Sequence, residues 1–385
     1  MGERPHDVVA VIGAGPAGLA AAATLQPLNF RVRVLEQSDS FAWRWRHHYD
    51  RLHLHTTRRL SALPGLKIPT ECGRWVSRDD FVRYLESYVK RHAIAVELGT
   101  AVQRVERVAG GWHLSTSKGA VDADFVVVCA GYNNRAFTPD WPGRAGFAGE
   151  LVHSQDYRNG EPYRGKRVLV VGTGNSGAEI ATDLVEHGAD VYWSFRTPPN
   201  ILPRSIVGIP AQGLGIMLRP LPAKLVDPIV AAFERVTVGN LLPFGLPRPT
   251  RGMYSGVLND HVLPILDVGV VAAIKSGRLR PVTAVASFDA ACVLLVDQQR
   301  LDVDAVVSCT GFRPALETIV GHLGVLDASG TPLVHGIQQH PAAPGVFFFG
   351  YTNAISGNLR EITTHARQLS RKLGAARNGA RPARA

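Results

Sequence analysis

Two glycine fingerprints, "GAGPAG" from Gly13 and "GTGNSG" from Gly172, each follow an apolar run and open a stretch with helical spacing. A second echo links "ADFVVVCAGY", with Asp124 and Cys129, to "VDAVVSCTGF", with Asp304 and Cys309. Together these predict an α/β chain of two Rossmann-like dinucleotide-binding domains, the second inserted into the first. The expected division gives 1–160 and 281–385 to the first domain and 161–280 to the second, with an apolar insertion at 201–260.

The first unit begins with a strand from Val8 to Ile12 and turns at Gly13. Gly15 lets backbone N–H groups reach a pyrophosphate, and Gly18 lets helix and strand pack closely. The next strand, "RVRVL", ends on Glu36, an acid placed to accept ribose hydroxyls. The segment "SFAWRWRHHYDRLHLHTTRR" follows, crowded with aromatic, His and Arg side chains. His53 and His55 alternate, yet no carboxylate or Cys cluster stands at ligand spacing, so no metal is expected. "DDFVRYLESYVKRHAI" has the spacing of an amphipathic helix, and the glycine-punctuated run up to "FVVVCAGY" reads as strands.

The second unit repeats the pattern with Gly172, Gly174 and Gly177, and Asn175 and Ser176 open its helix. Its second strand, "ADVYWSF", runs into Arg196 instead of an acid, which suits the 2′-phosphate of NADP. Two chemically different grips therefore predict FAD in the first and NADPH in the second. Thr197 and Arg204 are weaker candidates for phosphate contact. Residues 201–260 are apolar and proline-containing; core packing is the leading expectation, beside a tunnel wall, a subunit contact or a membrane surface. The closing "GVFFFGYTNAISGNLREITTHARQLSRKL" reads as a buried strand, a loop returning to the flavin and a final helix, with the last ten residues frayed.

Composition excludes more than it assigns. The 385 residues are 45% hydrophobic with net charge +10, but the arginines are scattered, and nucleic-acid binding wants a clustered face. Four cysteines without close pairing fit a reducing cytoplasm, and the lack of Cys-x-x-Cys argues against a disulfide reductase. No uncharged apolar run reaches membrane-spanning length, so no transmembrane segment is expected; a homodimer is compatible with the sequence.

Between the fingerprints, Phe147, Gly149, His153 and Tyr157 satisfy F-x-G-x-x-x-H-x-x-x-Y without gaps. This resembles the identifying sequence of flavin-containing monooxygenases. "YDRLHLHTTRRLSALPGLKIP", "YRGKRVLVVGTGNSGAEIATDL", "ILPRSIVGIP", "PILDVGVVAAIKSGRL" and "VDAVVSCTGFRP" resemble the YUCCA-type branch, the indole-3-pyruvate monooxygenases, over nearly the whole chain. His55 stands where many amine-oxidising relatives carry an Asn facing the flavin. Trp43 and Arg44 before Trp45, and "GYTNAISG" in place of a common Gly-Asp, depart from the family pattern.

The resemblance implies that NADPH reduces FAD, O2 adds at flavin C4a, and the peroxide oxygen passes to a small-molecule substrate. The first expectation is oxidative decarboxylation of an aromatic 2-oxo acid such as indole-3-pyruvate to indole-3-acetate. N- or S-oxygenation, a flavin-dependent reductase and a nucleotide sensor are the alternatives. Expected FAD contacts are Gly13, Gly15, Gly18, Glu36, Trp45 and Val102; expected NADPH contacts are Gly172, Gly174, Asn175, Ser176, Gly177 and Arg196. His55 and His153 are the catalytic candidates, with His153 and Tyr157 orienting the hinge near the nicotinamide.

Overall fold

The computed structural model describes residues 7–379 apart from 207, 261 and 353. In chain order the strands of the two main sheets are β1 (Val8–Ile12), β2 (Arg31–Leu35), β3 (Val96–Glu97), β4 (Phe125–Val128), β5 (Glu150–His153), β6 (Arg167–Val171), β7 (Asp190–Ser194), β8 (Leu279–Val282), β9 (Ala305–Ser308) and β10 (Val346–Phe348). The main helices are α1 (Pro16–Leu25), α2 (Arg78–Arg91), α3 (Asn175–Glu186), α4 (Ala211–Leu218), α5 (Ala223–Thr237), α6 (Met253–Asp260) and α7 (Asn358–Gly379).

Both sheets are parallel, the first in the order β10-β4-β1-β2-β3 and the second β8-β7-β6-β9-β5. Their central strands are continuous apolar runs because parallel strands are covered on both faces. The run of alanines in α1 keeps that helix thin, so it is buried between the first sheet and α7, and Thr24 Oγ1 donates to Ala366 O at 3.3 Å. Strand β10 and helix α7, from the end of the chain, complete the first sheet and its helical cover.

Each sheet receives a strand that follows a three-stranded antiparallel meander, at 102–123 before β4 and at 285–301 before β9. This accounts for the echo in the sequence. Asp124 Oδ2 accepts from Val8 N at 2.7 Å, and Asp304 Oδ2 accepts from Arg167 N at 2.8 Å. Each acid tethers the start of its own fingerprint strand.

The second sheet therefore reaches beyond the expected limits of 161 and 280, since β5 and β9 both belong to it. The short stretch "ELVH" carries too little apolar pattern to read as a strand alone; pairing with β9 makes it one. The two crossings between sheets are strapped together, Arg135–Ala136 pairing antiparallel with Phe312–Arg313.

Two further expectations change. In residues 201–260, Val238, Leu241 and Leu246 join the second core, but Met217, Leu225, Ile229 and Val236 are 74%, 62%, 64% and 85% exposed. Core packing thus describes only part of this segment, because apolar content does not say which way a helix turns its side chains. Of the last ten residues, expected to fray, 376–379 continue α7, and residues 380–385 lie outside the described residues.

Candidate active site

At the first grip, Gly13 has φ +102°, and a Cβ there would lie 2.6 Å from Cys129 O. A Cβ on Gly18 would lie 1.9 Å from Gly13 O, so the helix closes on the turn only with glycine. Gly15 differs: its Cβ would meet no protein atom within 4 Å, and α1 starts there with no side-chain cap. An uncapped helix N-terminus beside an open glycine suits a pyrophosphate. Glu36 lies at the end of β2, accepting from Ala14 N at 2.8 Å and Ser38 N at 2.9 Å. These bonds fix the acid beside the loop and leave each oxygen a further lone pair for a ribose hydroxyl.

The second grip repeats this geometry. Gly172 has φ +118° with Cys309 O 2.3 Å from a built Cβ, and Gly177 would meet Gly172 O at 2.1 Å. Gly174 faces open space, and α3 also begins uncapped. Asn175, expected to touch cofactor, is also a structural tie: Nδ2 donates to Pro264 O at 3.2 Å and Oδ1 accepts from Leu266 N at 2.8 Å. Arg196 is exposed, two residues past the end of β7, beside Thr197, whose carbonyl accepts from Thr173 in the grip. Arg204 is committed elsewhere: Nη2 donates to Leu54 O at 2.7 Å and the guanidinium lies 4.3 Å over Trp75.

Both grips open into one cavity of about 1220 Å³. Gly13, Gly15, Glu36, Trp45, Val102 and His55 line it, as do Gly174, Asn175 and Ser176. Gly18, Gly172 and Gly177 pack beneath the grips instead. The loop after β10 returns to the wall through Gly350, Ala354, Gly357 and Asn358, while Asn353 of the "GYTNAISG" stretch lies outside the described residues.

On the wall, His55 Nε2 lies 2.6 Å from Glu179 Oε1, and Tyr49 Oη donates to Glu179 Oε2 at 2.9 Å. Burial pushes the Glu179 carboxyl up, but His55, Tyr49 and Arg204 outweigh it and hold the group below the usual carboxylate range. Arg44 lies 5.4 Å over the Phe312 ring and donates from Nη2 to Asn134 O at 2.8 Å. Its Nη1 is buried without a hydrogen-bond partner in the protein.

The histidine of the linker motif bonds to backbone at the crossing between the two sheets. His153 Nδ1 accepts from Gln155 N at 3.1 Å, so Nε2 carries the proton and donates to Gly311 O at 3.1 Å. Burial pushes this imidazole below its usual range. With both nitrogens engaged by backbone, His153 joins the first crossing to the second; its neighbours Ser154 and Gln155 reach the cavity wall instead. Phe147 packs edge-on to Phe288, and a Cβ on Gly149 would strike the Phe147 ring at 2.5 Å. Tyr157 is buried and donates to Asp183 Oδ2 on α3 at 2.6 Å. Tyr157→Phe leaves that carboxylate short of a partner, and urea denaturation is expected to register a loss of about 1–3 kcal/mol. An unchanged midpoint would mean that this bond does not help to hold linker and helix together.

A family described as "Pyridine nucleotide-disulphide oxidoreductase" matches residues 10–202. Indole-3-pyruvate monooxygenase YUCCA1 of Oryza sativa subsp. japonica is 39% identical over 308 residues, covering 79% of this chain and 76% of the relative. The chain belongs to the flavin-containing monooxygenases, in the YUCCA-type branch. Probable indole-3-pyruvate monooxygenase YUCCA9 of Arabidopsis thaliana is 34% identical over 351 residues, with 89% and 83% of the two chains covered. Among solved structures, a flavin-containing monooxygenase from Stenotrophomonas maltophilia superposes with TM-score 0.74 at 26% identity, over 96% of this chain and 99% of that one.

As a flavin-containing monooxygenase, the protein is an oxidoreductase that uses FAD and NADPH. The two open cradles at Gly15 and Gly174 fit two pyrophosphates. No helix among the described residues is long and apolar enough to cross a membrane. Sequence reasoning missed Glu179 and Tyr49, and it noted Arg44 only as a departure from the family. The signal for Glu179 was present: two acids, Glu179 and Asp183, stand four residues apart on one face of the otherwise small and apolar helix stretch "SGAEIATDL".

Proposed function

We propose that this monooxygenase oxidatively decarboxylates an aromatic 2-oxo acid of the indole-3-pyruvate type. One observation carries the reading: in a chain of the YUCCA-type branch, both grips open into a single cavity walled by aromatic and basic side chains, Trp43, Arg44, Trp45, His48 and His55 among them. In the overall balance, the 2-oxo acid, O2, NADPH and a proton give the shortened acid, CO2, water and NADP+.

Bound FAD, once reduced by NADPH, activates O2 and supplies one oxygen atom to the substrate. The chain holds that chemistry in place. The Gly13–Gly15 turn and Glu36 hold the FAD pyrophosphate and ribose, and Gly174 with Ser176 and Arg196 holds NADPH. Trp45 and Val102 close the wall against water, which protects a reactive oxygen donor. Arg44, with its buried unpartnered Nη1, anchors the substrate carboxylate.

The test mixes the NADPH-reduced enzyme with oxygenated buffer and indole-3-pyruvate, and counts products. CO2 and shortened acid, each matching the NADPH consumed, support the proposal. An N- or S-oxide from a soft nucleophile, with the acid untouched, replaces it by the oxygenation alternative. Hydrogen peroxide equal to NADPH with every substrate favours a reductase. Arg44→Gln is expected to weaken inhibition by indole-3-acetate about tenfold or more, the worth of a charge-assisted bond, while inhibition by uncharged indole-3-acetamide changes less than twofold. Equal loss for both ligands would remove Arg44 from carboxylate recognition.

A further inference from the structure

Glu179 is a buried acid on the helix whose first turn forms the NADPH grip, yet its side chain leaves that domain. It reaches His55 in the segment after β2 of the other sheet, at 2.6 Å, and accepts from Tyr49 in the same segment. Tyr49 also interacts with Ser176, a residue of the grip itself. A chain of hydrogen-bonding groups thus runs from the NADPH cradle through Tyr49 and Glu179 to His55 on the cavity wall.

The carboxylate is an acceptor only, so the His55 nitrogen facing it must be the one that donates. We propose that Glu179 is a positioning residue that fixes His55 as the Nε2–H tautomer and leaves Nδ1 to accept or hold a proton at the reaction cavity. Among the described residues no side chain or backbone group bonds that Nδ1, so it is the ring atom available to a substrate. This rests on the proposed site chemistry but not on the identity of the acid. Oxygen transfer to a carbonyl or to a soft nucleophile needs a proton managed at the reacting atoms, and a single fixed tautomer presents one defined acceptor there in either case.

The groups facing Glu179 are His55, Tyr49, Arg204 and His48. Tyr49 is pushed well above its usual range, first by burial and then by Glu179, and stays a phenol. His48 is pushed down to about 4, chiefly by burial with Arg44, Arg158 and Arg78 adding to it, and stays neutral.

The experiment records imidazole nitrogen NMR of the FAD-loaded enzyme without substrate, assigning His55 by its loss in His55→Asn. The wild type is expected to give a single Nε2–H tautomer; an Nδ1–H tautomer overturns the proposal without any need for a Glu179 variant. In Glu179→Gln, mixed tautomers are expected, with kcat lowered about tenfold and KM for NADPH altered less than twofold. An unchanged tautomer and kcat in that variant would make Glu179 merely structural. A chain that oxygenates sulfides instead of 2-oxo acids defeats the substrate reading while leaving the tautomer result intact.

Discussion

Gly18→Ala is expected to prevent folding, while Gly15→Ala, only three residues away, folds and fails at FAD. The first places a methyl group 1.9 Å from the Gly13 carbonyl, with sheet and helix fixed on both sides. No flexible side chain can yield there. The second points its methyl into open space, within the cradle where α1 offers its N–H groups. A methyl wedged against a bound pyrophosphate costs about 1–3 kcal/mol, or roughly five- to a hundredfold in affinity. Circular dichroism with FAD titration separates the two cases. Gly174→Ala tests the second cradle in the same way: the protein stays yellow, with KM for NADPH raised by a similar factor. If Gly15→Ala bound FAD normally, the first cradle would not be the pyrophosphate site. If Gly174→Ala lost its flavin, the division of the two grips between FAD and NADPH would be wrong.

Arg196→Ala is expected to raise KM for NADPH roughly tenfold or more, since a guanidinium matches a phosphate dianion in shape and charge. KM for NADH should change less than twofold, because NADH has no 2′-phosphate to lose. Arg196 sits beyond the end of β7, where the corresponding strand β2 carries Glu36. The preference should weaken as salt rises, because the side chain is exposed and its charge is screened. Equal effects on both nucleotides would mean that Arg196 supports the loop rather than reads the phosphate.

The glycine positions, the acid after β2 and the arginine after β7 were legible in the sequence because they answer to local backbone geometry. Gly13 and Gly172 take φ of +102° and +118° where a Cβ would strike a neighbouring carbonyl, and a strand followed by such a tight turn and a helix has few other uses. The repeated Asp–apolar–Cys run was legible for the same reason, although only the sheet order assigns its second copy to the second sheet. The direction of the apolar side chains in residues 201–260 was not legible, since composition carries no orientation.

The site itself divides along the same line. Sequence by itself determined that there are two glycine grips, one followed by an acid and the other by an arginine, and that a histidine stands in the segment between the first grip and the first meander. Tertiary structure decided that both grips share one cavity, that His153 is spent on backbone bonds at the crossing, and that Glu179 meets His55. Residues 55 and 179 are far apart in the chain and lie over different sheets. Their contact depends on how two separately folded sheets dock, and that follows from packing across the whole molecule, not from any local pattern.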